Sequence, residues 1–254
     1  PLNRRAINGD WCVYSFIADD VSVVSTSSDT NDDSLQQALC ELLSWCAVNG
    51  MHLNTNKTKE MILTFSKRLR TNNCEPLMAD SVSIEKVTDF KILGVIISAD
   101  LSWSKHVRYI VSKASKRFFA ICQLVRCGFA SDDILKVYCT LVRPVLEYAS
   151  QVWHCGLTRS LSDEIEHVQI YPQLSYSDAL SVSGLQLLSV RREASVIKLF
   201  NEIKNPNHVL HYLLPVKPIK LGSITRNTYP YELKLGKTNR RSHSLISYCI
   251  GKRL

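Results

Sequence analysis

Residues 15–25 read SFIADDVSVVS, two runs of strand-forming residues with Asp19 and Asp20 between them. The β-branched and aromatic residues of WCVYSFIA and VSVVS predict a β-hairpin. Two residues is a common hairpin link, although Asp-Asp makes a poorer one than Asn-Gly. Adjacent carboxylates repel, and a cation relieves that repulsion. Hard ions such as Mg²⁺ prefer carboxylate oxygen, and phosphoryl-transfer enzymes hold such ions with closely spaced carboxylates. An aspartate pair is also an ordinary polar turn, and this stretch alone leaves both readings open.

Outward from the hairpin, STSSDTNDDS is a polar loop with candidate N-caps. Leu35, Leu39, Leu42, Leu43 and Cys46 then repeat at helical spacing, and Asn49-Gly50 ends that helix. A polar turn in GMHLNTNKTKEM leads to the strand-like MILTF, and FKILGVIIS is a further strand. Residues 1–100 therefore read as α+β with mostly antiparallel strands. Beyond Asp100 the pattern becomes helical. Val107, Val111, Ala114, Phe118, Ile121 and Val125 mark one amphipathic helix. SDDILKVYCTLVRPVLEYASQVWH opens with Ser131 as a cap and carries Pro144 as a break or kink. LSDEIEHVQ begins another helix, and Val190, Ala194, Ile197, Phe200 and Ile203 mark one more. From Pro215 the chain is basic, lacks clear periodicity and reads as an extended tail. The expected domains are residues 1–100, residues 101–214 and residues 215–254.

The chain has 254 residues, 45% of them hydrophobic, which suits one large domain or two small ones. It begins at Pro1 without a charged-then-apolar leader, which reads as a fragment or processed product and not a secreted precursor. No apolar run approaches the ~20 residues of a membrane span. The nine cysteines form no CxxC pair, and His208 with His211 lacks a cysteine pair to complete a zinc site. They read as reduced, mostly core thiols of an intracellular protein, in the cytoplasm or nucleus.

Net charge is +8 and unevenly spread. Residues 18–50 hold six acids and no Lys or Arg, residues 101–128 hold six Lys or Arg and no acid, and residues 216–254 hold nine Lys or Arg and one acid. An acidic patch followed by basic surfaces suits a protein that handles polyanions. Lys105, Arg108, Lys113, Lys116 and Arg117 lie off the apolar stripe of their helix and could track a phosphate backbone. Either basic block taken alone reads first as a solvated charged face.

The order of these pieces is more specific than any one of them. The aspartate hairpin, the capped helix, LNTNKT, FKILGV and DLSWSKHV resemble the reverse transcriptases of non-LTR (LINE-type) retrotransposons, especially the jockey-like group. The likeness continues through KASKRFFAICQLVRCG, LVRPVLEYASQVWH, LSDEIEHVQ and LPVKP to YPYELKLGKTNRRSHSLISY. It implies a partial reverse-transcriptase palm, with antiparallel strands and a packed helix, then an α-helical thumb-like region and an extended basic tail.

The resemblance also implies roles. Asp19 matches the palm aspartate that binds the catalytic metals, with Asp20 as its auxiliary, and Mg²⁺ is the expected cofactor. Lys57 matches the lysine facing the phosphates of the incoming nucleotide. Phe90, Lys91, Leu93 and Gly94 match the primer-grip hairpin, and the helices after Trp103 match the thumb. The implied partners are an RNA template, a DNA primer and deoxynucleotides, with no membrane.

Three departures accompany it. Ile17 stands two places before Asp19, where the family has Tyr or Phe. The segment after Gln169 is short. The chain begins just before the aspartate hairpin, so it is expected to be a C-terminal portion lacking the fingers and upstream palm of the same polyprotein, and inactive by itself. A non-catalytic relic that binds nucleic acid non-specifically is the alternative.

Overall fold

A computed structural model describes residues 3–7, 10–17, 20–26, 33–63, 75–168, 185–215, 231 and 244–252. It is α+β and divides into two compact units, residues 1–92 with 97–101, and residues 93–96 with 102–254.

The first unit opens with three strands, β1 (Asn3–Ile7), β2 (Asp10–Ile17) and β3 (Asp20–Ser25), in antiparallel order β1-β2-β3. Helix α1 (Ser34–Val48) packs along β2 and β3, and the Ser34 and Ser25 hydroxyls share a hydrogen bond of 2.8 Å. The helix stops as its sequence suggests: the Met51 N–H donates back to the Cys46 carbonyl and Gly50 N–H to Ala47.

Short strands follow: β4 (Lys59–Glu60), β5 (Met78–Ala79), β6 (Val82–Ser83) and β7 (Glu85–Lys86). Leu39 of α1 joins Ala79 and Ile84 in a small core flanked by Leu43, Leu53 and Leu77. The Gln36 amide completes the attachment by imitating a strand. Its Nε2 donates to the Met78 carbonyl at 2.9 Å and its Oε1 accepts from the Met78 N–H at 2.8 Å. Strands β8 (Asp89–Ile92) and β9 (Val95–Ser98) form a hairpin whose turn residues fall in the second unit.

Two expectations change here. Pairing in the MILTF region is confined to β4, which precedes it; residues 61–63 carry no strand and the rest of the stretch lies outside the described residues. FKILGVIIS, read as one strand, is instead β8 and β9 with the Leu93-Gly94 turn between them. The strand pairing is mostly antiparallel as expected, and β4 runs parallel to β7, with Lys59 opposite Glu85. A 2.6 Å ion pair between those two side chains reinforces the register.

The second unit is helical. Helix α2 (Ser104–Arg126) buries Val107, Ile110, Ala114 and Ile121 and ends where Gly128 takes φ +77°, a conformation that a side chain disfavours. Helix α3 (Ser131–Val137) begins with Ser131 as its first helical residue, preceded by Ala130 and without a side-chain cap, so Ser131 does not cap it. A π-helical turn over Tyr138–Val142 leads into α4 (Arg143–Glu147). Pro144 is the second residue of α4, directly after the π-helical turn, so its missing N–H falls where the helical hydrogen-bond pattern changes. The sharper break is Ala149, left-handed at φ 50°, before α5 (Ser150–Trp153).

Helix α6 (Arg159–His167) is capped by Thr158, whose hydroxyl accepts from the Leu161 N–H at 3.4 Å. Helix α7 (Leu188–Ile203) buries Leu188, Arg192, Val196, Phe200 and Ile203, a stripe rotated from the one the hydrophobic spacing suggests, because an arginine occupies its middle. Val190, which that spacing places inward, is 49% exposed. The tail is not wholly extended: α8 (Leu245–Gly251) packs on α7, and Cys155, Val196, Phe200, Tyr231, Cys249 and Ile250 share one cluster. Burial pushes the thiols of Cys155 and Cys249 up to about 12 and about 11. Cys40 and Cys127 are exposed instead of being core thiols. No described helix is long and apolar enough to cross a membrane.

Arg192 is fully buried and is held by Glu166 of α6. Glu166 accepts from two backbone N–H groups at the start of α7, Leu188 at 3.1 Å and Ser189 at 2.5 Å, and lies 3.5 Å from Arg192. A carboxylate at a helix N-terminus is stabilised by the orphan donors and the helix dipole. The same group neutralises the arginine one turn further along.

Removing one partner of a buried ion pair costs more than the pair contributes. Glu166→Gln is expected to cost about 3 kcal/mol. Arg192→Met should cost less, because Glu166 keeps both backbone donors; urea melts of the two variants check the ranking. Burial also holds His106 down at about 4, below its ordinary 6.5, and acts on His154 in the same direction. Between those values the unfolded chain binds the proton and the folded chain does not. Stability is therefore full above pH 6.5 and falls as the pH drops toward 4, by up to about 3 kcal/mol for His106. Urea midpoints at pH 7 and pH 4.5 test the slope, which His106→Gln should flatten.

Candidate functional site

The aspartate hairpin forms with Ile17 opposite Asp20. Asp20 is thus a paired strand residue and not part of the Asp19-Asp20 link read from the sequence. Asp20 is the first residue of β3 and is exposed; Asp19 lies outside the described residues. A carboxylate of this kind suits a hard cation. Among the described residues, however, no three His, Cys, Asp or Glu side chains stand together as a metal site. Asp20 with the described residues does not complete a ligand set for Mg²⁺.

Lys57 is presented by a turn that Asn54 organises. The Asn54 side-chain Oδ1 accepts from the Lys57 N–H at 3.1 Å, and its carbonyl accepts from the Thr58 N–H and hydroxyl, each at 2.9 Å. An Asx-type turn of this sort explains why asparagine stands three places before the lysine. It leaves the Lys57 side chain exposed.

Phe90 and Lys91 lie on β8 and are exposed. Leu93 and Gly94 form the turn, with φ +47° and +85°. Two successive positive φ values match the twist of a two-residue hairpin. Glycine takes its value freely, and leucine does so at a cost. Tyr148, between α4 and α5, meets this turn. Its hydroxyl donates to the Leu93 carbonyl at 2.9 Å, and its ring lies against Gly94.

The turn has a second attachment. The Ile96 N–H donates to His106 Nδ1 at 3.3 Å, which leaves the ring proton on Nε2. His106 stands edge-on to Trp153 with centroids 5.4 Å apart, and Trp153 Nε1–H donates to the Tyr148 carbonyl at 3.0 Å. Leu93, Tyr148, Trp153, His106 and Ile96 therefore close a circuit.

The cationic side chains of α2 sort by helical angle. At about 100° per residue, Lys116 lies about 20° from Lys105, Arg108 about 60° to one side and Lys113 about 80° to the other. All four are exposed. Lys105 and Lys116 are separated by about 16 Å along the axis. Phe119, 64% exposed, shares this face. Arg117 differs. It sits on the flank, and its Nη1 donates to the Leu141 carbonyl at 2.6 Å, so it braces the π-helical turn.

Asp20, Lys57, Phe90 and Lys91 thus belong to the first unit, and Leu93, Gly94 and the α2 cations to the second. Tyr148, His106, Trp153 and Asn54 are additions that hydrophobic spacing does not single out. Their signal lies in the polar and aromatic residues embedded in WSKHV, LEYASQVW and LNTNKT.

The chain is 22% identical over 223 residues to a Drosophila melanogaster protein named probable RNA-directed DNA polymerase from transposon X-element. That match covers 84% of the chain and 23% of the relative. It is 26% identical over 158 residues to the RNA-directed DNA polymerase from mobile element jockey of Drosophila funebris, covering 59% of the chain and 17% of the relative. The chain therefore spans less than a quarter of either relative's length. No family model and no solved structure matches it.

Lys105→Ala with Lys116→Ala is expected to weaken binding to an RNA–DNA hybrid and to lower the slope of log affinity against log salt by about 2. Arg117→Ala should instead cost about 1 kcal/mol of stability, through the lost donor to Leu141. Salt titrations and thermal melts of the variants separate the two roles.

Proposed function

We infer that this chain, a reverse-transcriptase-like protein of the non-LTR, jockey-like kind, works as the palm-end hairpins and thumb of an RNA-directed DNA polymerase. The reading is carried by one observation: a hairpin turn at the position expected of a primer grip is anchored to a helical unit whose α2 displays a continuous cationic face. Distant likeness to two polymerases of mobile elements, in one case along most of the chain, supports it.

In this reading the α2 cations Lys105, Arg108, Lys113 and Lys116 hold the phosphates of the template–primer duplex through sequence-independent attraction. Arg117 is reassigned to structure by its bond to Leu141. Phe90, Lys91, Leu93 and Gly94 steady the primer end. Lys57, on its Asn54-organised turn, offsets charge on the phosphates of the incoming deoxynucleotide. The reaction joins the primer 3′-oxygen to the α-phosphorus and releases pyrophosphate. A divalent ion such as Mg²⁺ supplies charge neutralisation in reactions of this class. Asp19 and Asp20 are the chain's proposed contribution to its ligands, with further donors required.

A chimera tests the proposal. The corresponding segment of the Drosophila funebris polymerase is replaced by this chain's residues 10–254, and primer extension on an RNA template is measured. Extension is expected, with Asp19→Asn lowering it by about a hundredfold or more. A folded chimera that binds the hybrid but extends no better than its Asp19→Asn variant would overturn the catalytic reading and leave nucleic-acid binding alone. Failure of the unmodified chain to bind an RNA–DNA hybrid at low salt would overturn both.

A further inference from the structure

We propose that Tyr148 is the positioning residue of the primer-grip-like turn: through it the helical unit sets where Leu93 and Gly94 present the primer end. This rests on the polymerase reading above. Three features of the geometry converge on Tyr148.

First, the Leu93–Gly94 turn needs outside support. Leucine at φ +47° occupies a region that costs side-chain-bearing residues free energy and persists where surroundings enforce it. The enforcing contact is the Tyr148 hydroxyl on the Leu93 carbonyl at 2.9 Å. Secondly, the ring occupies the space beside Gly94. A Cβ there would stand 3.2 Å from Tyr148 Cε1, so a side chain would push the ring by a few tenths of an ångström, and the Gly94 φ disfavours one independently.

Thirdly, Tyr148 is itself fixed from behind. The left-handed Ala149 turns the chain directly after it, and Trp153, fully buried, donates to its carbonyl. Trp153 also packs against His106, which accepts from Ile96 on the far side of the turn. The turn is therefore gripped at both ends by residues that share one buried indole.

Tyr148 remains 55% exposed. A ring so open adds little to the core, and its specific contacts are those with the turn. That separates a positioning role from a general stabilising one.

Tyr148→Phe removes the hydroxyl bond and keeps the ring. In the full chain, amide hydrogen exchange at Val95 and Ile96 is expected to quicken about tenfold, with the melting temperature within about 2 °C of the parent. In the chimeric polymerase the same substitution is expected to lower the extension rate at saturating nucleotide about tenfold without changing hybrid affinity. Gly94→Ala, which crowds the ring, should act in the same direction. Unchanged exchange in Tyr148→Phe would overturn the clamp. Faster exchange with an unchanged extension rate would overturn its part in placing the primer. A parent chimera that fails to extend sinks the polymerase reading and this role with it, while the exchange measurement still decides whether Tyr148 holds the turn.

Discussion

The burial of Trp153 is the constraint on which the helical unit depends. Its indole is wholly removed from solvent, and a buried N–H must find an acceptor. It finds the Tyr148 carbonyl, and this ties α5 to the break after α4. One neighbour of the ring is His106 of α2, and another is the Arg192 guanidinium of α7, 5.8 Å from the ring centroid. Three segments distant in sequence are thereby referred to one side chain. Trp103 adds a nearby fixed point: it stands edge-on to His106, and a Cβ on Gly156 would fall 2.4 Å from its Nε1. The glycine there admits the ring. Trp103 and His106 of WSKHV and Trp153 of YASQVW are therefore placed by packing.

The same unit partitions its charge. Glu147 takes Arg191 in a two-pronged pair at 2.5 and 3.2 Å, Glu166 takes Arg192, and Glu193 takes Lys252 together with the Tyr248 hydroxyl. These acids are engaged within the fold. Helix α2 contains no acid at all, and Lys105, Arg108, Lys113 and Lys116 stand exposed on its outer face. That arrangement suits a polyanion that is followed along its length, since phosphate contacts position a duplex without reading its sequence.

Much of this was legible in the sequence, for identifiable reasons. The aspartate hairpin, α1 with its Asn49-Gly50 stop and α2 follow from strong local periodicity and turn chemistry, whereas FKILGVIIS, continuous by its apolar run, is broken into β8 and β9 by the Leu93-Gly94 turn. The α7 stripe was misplaced because hydrophobic spacing assumes that arginine faces water, whereas Glu166, distant in sequence, makes Arg192 a core residue. The tail helix α8 was missed because seven residues are too few to show a period, and packing on α7 supplies what propensity lacks. The cations of α2 were all visible, but Arg117 could be separated from the rest only through its bond to Leu141. Tyr148 carries no pattern of its own; its place follows from a turn more than fifty residues earlier.

The central claim is that α2 forms the duplex track, and lysine footprinting tests it most directly. The chain is acylated with and without an RNA–DNA hybrid, and each lysine is read by mass spectrometry. Lys105, Lys113 and Lys116 should be shielded together, with the shielding lost at high salt, while Lys136 and Lys198, exposed on other helices, react equally in both states. Shielding of Lys136 or Lys198 with the α2 lysines still reactive would contradict the account.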